Sequence, residues 1–138
     1  MVGIMGGTFN PIHFGHLRLA EHIREELSLD AVYFMPAGMP PHKDDNIIVS
    51  AEHRLEMTRL AIQGNPCFQI NDHEIHKHGY SYTVESLEHY KSNGLKDLTL
   101  ILGADSILQM KLWYKPEIIL SIAKIAVAPR PETDLLLL

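Results

Sequence analysis

Apolar residues in this chain follow two rhythms, and the rhythm changes at regular intervals. Short runs at Val2–Met5, Ala31–Met35, Phe68–Asn71, Leu98–Leu102 and Ile125–Ala128 have the length and composition of buried parallel strands. Between them the spacing turns helical. Leu17, Ala20, Ile23 and Leu27 predict a helix opening near Gly15. Leu55, Met57, Leu60, Ala61 and Ile62 mark a second, with Ser50 as its N-cap and Gly64-Asn65-Pro66 as its stop. Thr83 caps a third that carries Val84, Leu87 and Tyr90 and ends at Asn93-Gly94. A short helical piece near Ser106–Met110 and a helix around Glu117–Ile122 precede the last strand.

Strands that alternate with helices predict an α/β fold, a doubly wound parallel sheet with helices on both faces. Such sheets bind ligands outside the carboxyl ends of the strands, near a switch in strand order. The suggestive stretches all follow a strand: Gly6–His16, Pro36–Lys43, Gly79–Thr83 and Gly103–Asp105. That shared position argues that they converge on one site.

The first stretch, Gly6-Gly7-Thr8-Phe9-Asn10-Pro11-Ile12-His13-Phe14-Gly15-His16, lies between a strand and a helix start. Glycines allow close backbone approach, and a helix N-terminus offers unpaired N–H groups and a positive dipole end to an anion. His13 and His16 add two imidazoles at that mouth. The string is not a P-loop, because no Gly-Lys-Ser/Thr follows. Nor is it a dinucleotide fingerprint, because histidines stand where glycines would be needed.

Composition narrows the class. At 138 residues the chain is long enough for one domain with a real core, and 46% hydrophobic with 21% charged residues reads as a soluble globular protein. No apolar run approaches the roughly 18 residues of a membrane span. The chain begins on a strand without a signal-peptide pattern. Cys67 is the single cysteine; it excludes an internal disulfide, fits a reducing cytoplasm and reads as a small buried apolar residue. A net charge of −5 argues against a nucleic-acid footprint. Positive groups gather at His13/His16/Arg18 and His42/Lys43.

The remaining stretches have both bland and chemical readings. Pro36–Lys43 is a proline-rich loop ending in a cation; Arg54, on the next helix, reads as solvated surface. Gly79-Tyr80-Ser81-Tyr82-Thr83 is a helix cap, or a carboxylate or phosphate site. Gly103 and Asp105 end a strand, where the aspartate could accept from ribose hydroxyls. Trp113 would pack in the core or stack on a heterocycle. His73, His76 and His78 lie beside Asp72 and Glu74, but extended spacing would split them and no cysteine joins them, so no metal site is expected.

Together these strings resemble the bacterial nicotinate-nucleotide adenylyltransferases of the HIGH superfamily, from Gly6 through Arg54-Leu55, Ser81-Tyr82-Thr83 and Gly103-Ala104-Asp105 to Trp113 and Arg130-Pro131. The resemblance implies a Rossmann-like fold and transfer of AMP from ATP to nicotinate mononucleotide, giving deamido-NAD and pyrophosphate in NAD biosynthesis. It implies that Gly6, Gly7, Thr8, Phe9, His13 and His16 hold the ATP phosphates, and that Gly103 and Asp105 hold adenosine. Asn10, His42, Lys43, Tyr82, Thr83 and Trp113 would bind nicotinate mononucleotide, with His13, His16 and Lys43 as the catalytic set. Mg²⁺ would arrive with ATP. ATP and nicotinate mononucleotide are the expected partners, with no nucleic acid and no membrane. The oligomeric state stays open, a homo-oligomer included.

Two neighbouring readings remain. One is a related adenylyltransferase acting on phosphopantetheine or nicotinamide mononucleotide. The other is a truncated nucleotide-binding module without turnover. The family carries a downstream I-S-S-T-x-I-R motif and a helical tail. Residues 1–138 read as a single nucleotidyltransferase domain lacking both, with the four terminal leucines suggesting an incompletely represented chain.

Overall fold

The apolar runs pair side by side in one parallel sheet. The computed structural model describes residues 1–7, 9, 12–38, 50–76, 82–95, 97–103 and 113–128. Within them the chain runs β1 (Val2–Gly7), α1 (Phe14–Leu27), β2 (Ala31–Pro36), α2 (Ala51–Ile62) and β3 (Phe68–Ile70). It continues through α3 (Thr83–Ser92), β4 (Leu98–Gly103), α4 (Pro116–Ile122) and β5 (Ala123–Ala128). The expected helical piece at 106–110 lies outside the described residues. β5 begins two residues before the apolar spacing predicts, directly after α4. Strand order is β3-β2-β1-β4-β5, all parallel. Successive strands step one way from β1 to β3, then the chain returns to the other side of β1. This is the reversal of a doubly wound sheet.

Period-two alternation sorts the strand side chains onto two layers. Ile4, Met35, Leu98, Leu100 and Leu102 face one way, where Val84, Leu87 and Tyr90 of α3 and Ile119 of α4 cover them. Met5, Val32, Phe34, Phe68 and Ile101 face the other, under Ala20 and Ile23 of α1 and Ile62 of α2. Cys67, before β3, is half-buried rather than fully enclosed. Among the described residues no helix is long and apolar enough to cross a membrane.

The register of β1 opens the site. Its pairing with β2 runs the whole length, from Val2↔Ala31 to Gly7↔Pro36. Its pairing with β4 covers only Val2↔Leu98 to Ile4↔Leu100. β4 keeps β5 as a partner as far as Gly103↔Ala128. Past Ile4 and Leu100 the two central strands no longer pair, and Gly6-Gly7 and Gly103 end them on either side of that gap in the ladder.

Ile4 is the last β1 residue paired on both sides and is wholly buried. Ile4→Ala should cost about 2–5 kcal/mol of unfolding free energy, measurable by urea titration. A loss below about 1 kcal/mol would contradict its central place.

Candidate active site

His13 opens α1 as its N-cap, with extended backbone (φ −145°, ψ 177°). Histidine is an uncommon cap, and the geometry shows how it serves. The Gly15 N–H donates to His13 Nδ1 at 3.0 Å, and the His13 N–H donates to His16 Nδ1 at 3.1 Å. The two rings form a reciprocal capping box, the role usually taken by a Ser/Thr and Glu/Gln pair. Each ring spends Nδ1 as an acceptor, so each neutral ring carries its proton on Nε2. The helix start thus satisfies two of its own N–H groups while fixing the tautomer of both histidines. The rings lie 4.0 Å apart between centroids.

Gly15 makes this possible. A Cβ there would fall 2.8 Å from His13 Cε1 and 2.9 Å from Nδ1, so any side chain would push the ring off its cap. Phe9 holds the other flank. It is buried, sets its ring edge against His16 at 5.1 Å and 84°, and adopts a left-handed backbone with φ 50°. For an aromatic residue that conformation costs on the order of 1–3 kcal/mol, and such outliers gather at functional turns. Phe14, between the capping pair, is 80% exposed at the mouth.

Gly103 ends β4, and among the described residues no atom lies within 4 Å of where its Cβ would stand. Thr8, Asn10, His42, Lys43 and Asp105 lie outside the described residues, as do Ser81 and His78. Gly6 and Gly7, expected in the turn, are the last residues of β1.

The expected third cap moves by one residue. Tyr82, not Thr83, is the N-cap of α3, without a side-chain cap bond. The helix is braced from beneath instead: buried Ser86 donates its hydroxyl to the buried carboxylate of Glu74 at 2.5 Å. Below it, burial and the neighbouring Glu74 carboxylate push the Tyr90 phenol far above its ordinary pKa, so the hydroxyl stays neutral. The Tyr82 ring packs on Tyr114 at 5.0 Å, and Tyr82 and Trp113 both pack against the apolar layer under α3. The tryptophan therefore does join core packing, beside the helix start where the family reading places the acceptor ring. Tyr114 is a neighbour that single-residue reasoning did not reach.

The two described histidines after β3 have different partners. His76 pairs with Asp72 at 3.0 Å, while His73 stacks on His89 at 3.9 Å. Among the described residues no group of three or more His, Cys, Asp or Glu could hold a metal ion.

Arg54 overturns its surface reading. It is 1% exposed and forks onto two backbone carbonyls, Nη1 to Ala37 at 2.5 Å and Nη2 to Gly38 at 2.9 Å. Burial draws the guanidinium pKa below that of a free arginine. The inward stripe of α2 is Arg54, Thr58 and Ile62, whereas Leu60, expected on the apolar face, is exposed. Counting back from Ile62 in steps of four would have found the stripe; its two polar members hid it.

Strand order and the parted central strands define a doubly wound α/β domain of the Rossmann type. The chain belongs to the cytidylyltransferase-like family, whose profile matches residues 4–137. It is 46% identical over 128 residues to a probable nicotinate-nucleotide adenylyltransferase of Clostridium botulinum (strain Alaska E43), covering 93% of this chain and 64% of that protein. Another protein of the same printed name, from Roseiflexus sp. (strain RS-1), is 45% identical over 130 residues, covering 94% and 65%. The chain thus spans just under two thirds of these relatives' length. Among solved structures, the nicotinic acid mononucleotide adenylyltransferase of Plasmodium falciparum complexed with NaAD superposes with a TM-score of 0.71 at 17% identity, covering 94% of this chain and 75% of that one. A Vibrio parahaemolyticus structure with a provisional nicotinate-nucleotide adenylyltransferase name gives 0.76 at 23% identity, covering 94% and 74%. At these identities the likeness is one of fold.

The capping role of His13 can be tested apart from any chemistry. Asparagine caps well and alanine does not, so His13→Ala should lose about 1 kcal/mol of stability while His13→Asn stays within about 0.5 kcal/mol of the parent. Thermal melts of the two variants check this. Equal losses would remove the capping role.

Proposed function

We propose that this chain carries the adenylyl-transferring core of a nicotinate-nucleotide adenylyltransferase. The observation that supports it best is the capped histidine pair at the helix start that follows β1, where the central strands cease to pair, in a chain 46% identical to a relative of that printed name. The reaction is in-line. A phosphate oxygen of nicotinate mononucleotide bonds to the α-phosphorus of ATP, the α–β bridging bond breaks, and pyrophosphate leaves. The nucleophile is already an anion, so no general base or covalent intermediate is needed.

Catalysis is then placement and charge stabilisation. With Nδ1 occupied, the Nε2–H groups of His13 and His16 are the donors suited to phosphate oxygens, His16 being the better placed for the transition state beside Phe9. Lys43 would supply a movable cation for the departing charge. ATP enters as its magnesium complex, with the ion carried by the triphosphate and water rather than by a protein cage. Gly103 and Asp105 would take adenosine. Asn10, His42, Tyr82, Thr83 and Trp113 would take the acceptor. A helix start at Tyr82-Thr83 offers N–H donors to the nicotinate carboxylate, whereas an amide would turn its own N–H₂ toward them. This synthesis belongs in the cytoplasm.

Gly103→Ala isolates the nucleotide. Among the described residues, no atom stands within 4 Å of a Cβ at Gly103, so a methyl group meets none of them. Stability should therefore hold within about 0.5 kcal/mol, while the KM for ATP rises about tenfold through a clash with the ligand. An unchanged KM would move adenosine away from β4.

The defining experiment is pyrophosphate release by the full-length protein with ATP and a panel of phosphorylated acceptors. Nicotinate mononucleotide should exceed nicotinamide mononucleotide by at least about a hundredfold in kcat/KM, worth about 2.7 kcal/mol. Equal values would reject the carboxylate pocket; preference for phosphopantetheine would reject the pyridine acceptor.

A further inference from the structure

We propose that Arg54 is a positioning residue for the phosphate-binding turn, acting on His16 through a continuous chain of contacts. The inference rests on the reading of function given above. Arg54 is itself held at both ends: its N–H donates to the Ser50 carbonyl at 3.0 Å, and its own carbonyl accepts from the buried Thr58 hydroxyl at 2.8 Å. From that fixed base on α2 the guanidinium reaches Ala37 and Gly38, the first two residues beyond β2. Ala37 in turn donates its N–H to the Gly7 carbonyl at 2.8 Å, extending the β1–β2 ladder to the last residue of β1. The Phe9 ring lies over Gly7, its Cε1 3.1 Å from where a Cβ would stand. The same ring meets His16 edge-on. The order of contact is Arg54, Ala37, Gly7, Phe9, His16.

The residue type argues for placement over simple support. A buried charge can often be replaced by a well-packed apolar chain at little cost to stability. What an apolar chain cannot do is orient two successive peptides. The planar fork of arginine holds both carbonyls in fixed relation, while lysine offers a point charge on a flexible stem. Fixing Ala37 fixes the partner of Gly7, and small displacements of a catalytic group cost rate steeply.

A double-mutant cycle on the full-length protein tests this. Arg54→Met, Arg54→Lys and His16→Ala are made singly, and each Arg54 change is combined with His16→Ala. Pyrophosphate release from ATP and nicotinate mononucleotide is read well below each melting temperature. His16→Ala should lower kcat about a hundredfold. Arg54→Met should lower kcat about tenfold while the KM for the mononucleotide moves less than about threefold, with Arg54→Lys in between. In the His16→Ala background, both Arg54 changes should cost less than about threefold, because the group they position is gone. Effects that simply multiply, or wild-type kcat in Arg54→Met, would overturn the positioning role. Should Arg54→Met fail to fold, the lysine arm decides by the same criterion. A second readout is independent of activity: the His16 ring signals in a proton–carbon spectrum should shift in Arg54→Lys while those of His89 on α3 stay put. A wild-type protein that releases no pyrophosphate with any acceptor would remove the reading of function. The spectra would still decide the positioning role, and an unmoved His16 signal would reject it.

Discussion

The fold turns on the short shared ladder between β1 and β4. Parallel strands pair through evenly spaced backbone bonds, and these two share them only from Val2 to Ile4. Beyond that point β1 stays with β2 and β4 stays with β5, so the centre of the sheet parts while its flanks remain closed. Backbone groups freed there need other partners. On the side that stays closed, the Ala37 N–H donates to the Gly7 carbonyl and carries the β1–β2 ladder to the last residue of β1. The gap in the central ladder is thus a product of register.

The histidine cap closes the start of α1 with side chains that, in the proposed function, also carry the chemistry. Had His13 and His16 left the α1 start bare, its N–H groups would compete for any anion, but neither ring would be oriented. By accepting those N–H groups on Nδ1, the rings give up some of the helix's anion-binding capacity. In the function proposed above, they return it as two donors through Nε2. Gly15 is required by steric contact with the His13 ring, a reason that concerns the side chain two residues earlier rather than its own backbone.

Polar burial elsewhere follows the same economy. Arg54 lies on backbone carbonyls at the end of β2, and Glu74 receives the Ser86 hydroxyl beneath α3. Both sit where a loop leaves the sheet or a helix begins, the places at which backbone alone leaves groups unmatched. The apolar layers supply bulk stability, whereas these polar contacts decide where the loop ends stand.

By itself the sequence determined the strands and the α/β alternation, because short apolar runs and helical spacing are local patterns. The string from Gly6 to His16 likewise marked a strand end followed by a helix start, since its glycines and histidines act over a few residues. Only the tertiary structure decided which face of α2 turns inward: Arg54, Thr58 and Ile62 are buried, and Leu60 is not, because carbonyls of Ala37 and Gly38 wait for a donor there. It also decided that Tyr82 rather than Thr83 begins α3, and that Tyr114 packs on Tyr82. Above all it set the parting of β1 from β4. That feature depends on hydrogen bonds between residues almost a hundred positions apart, about which no local pattern carries information.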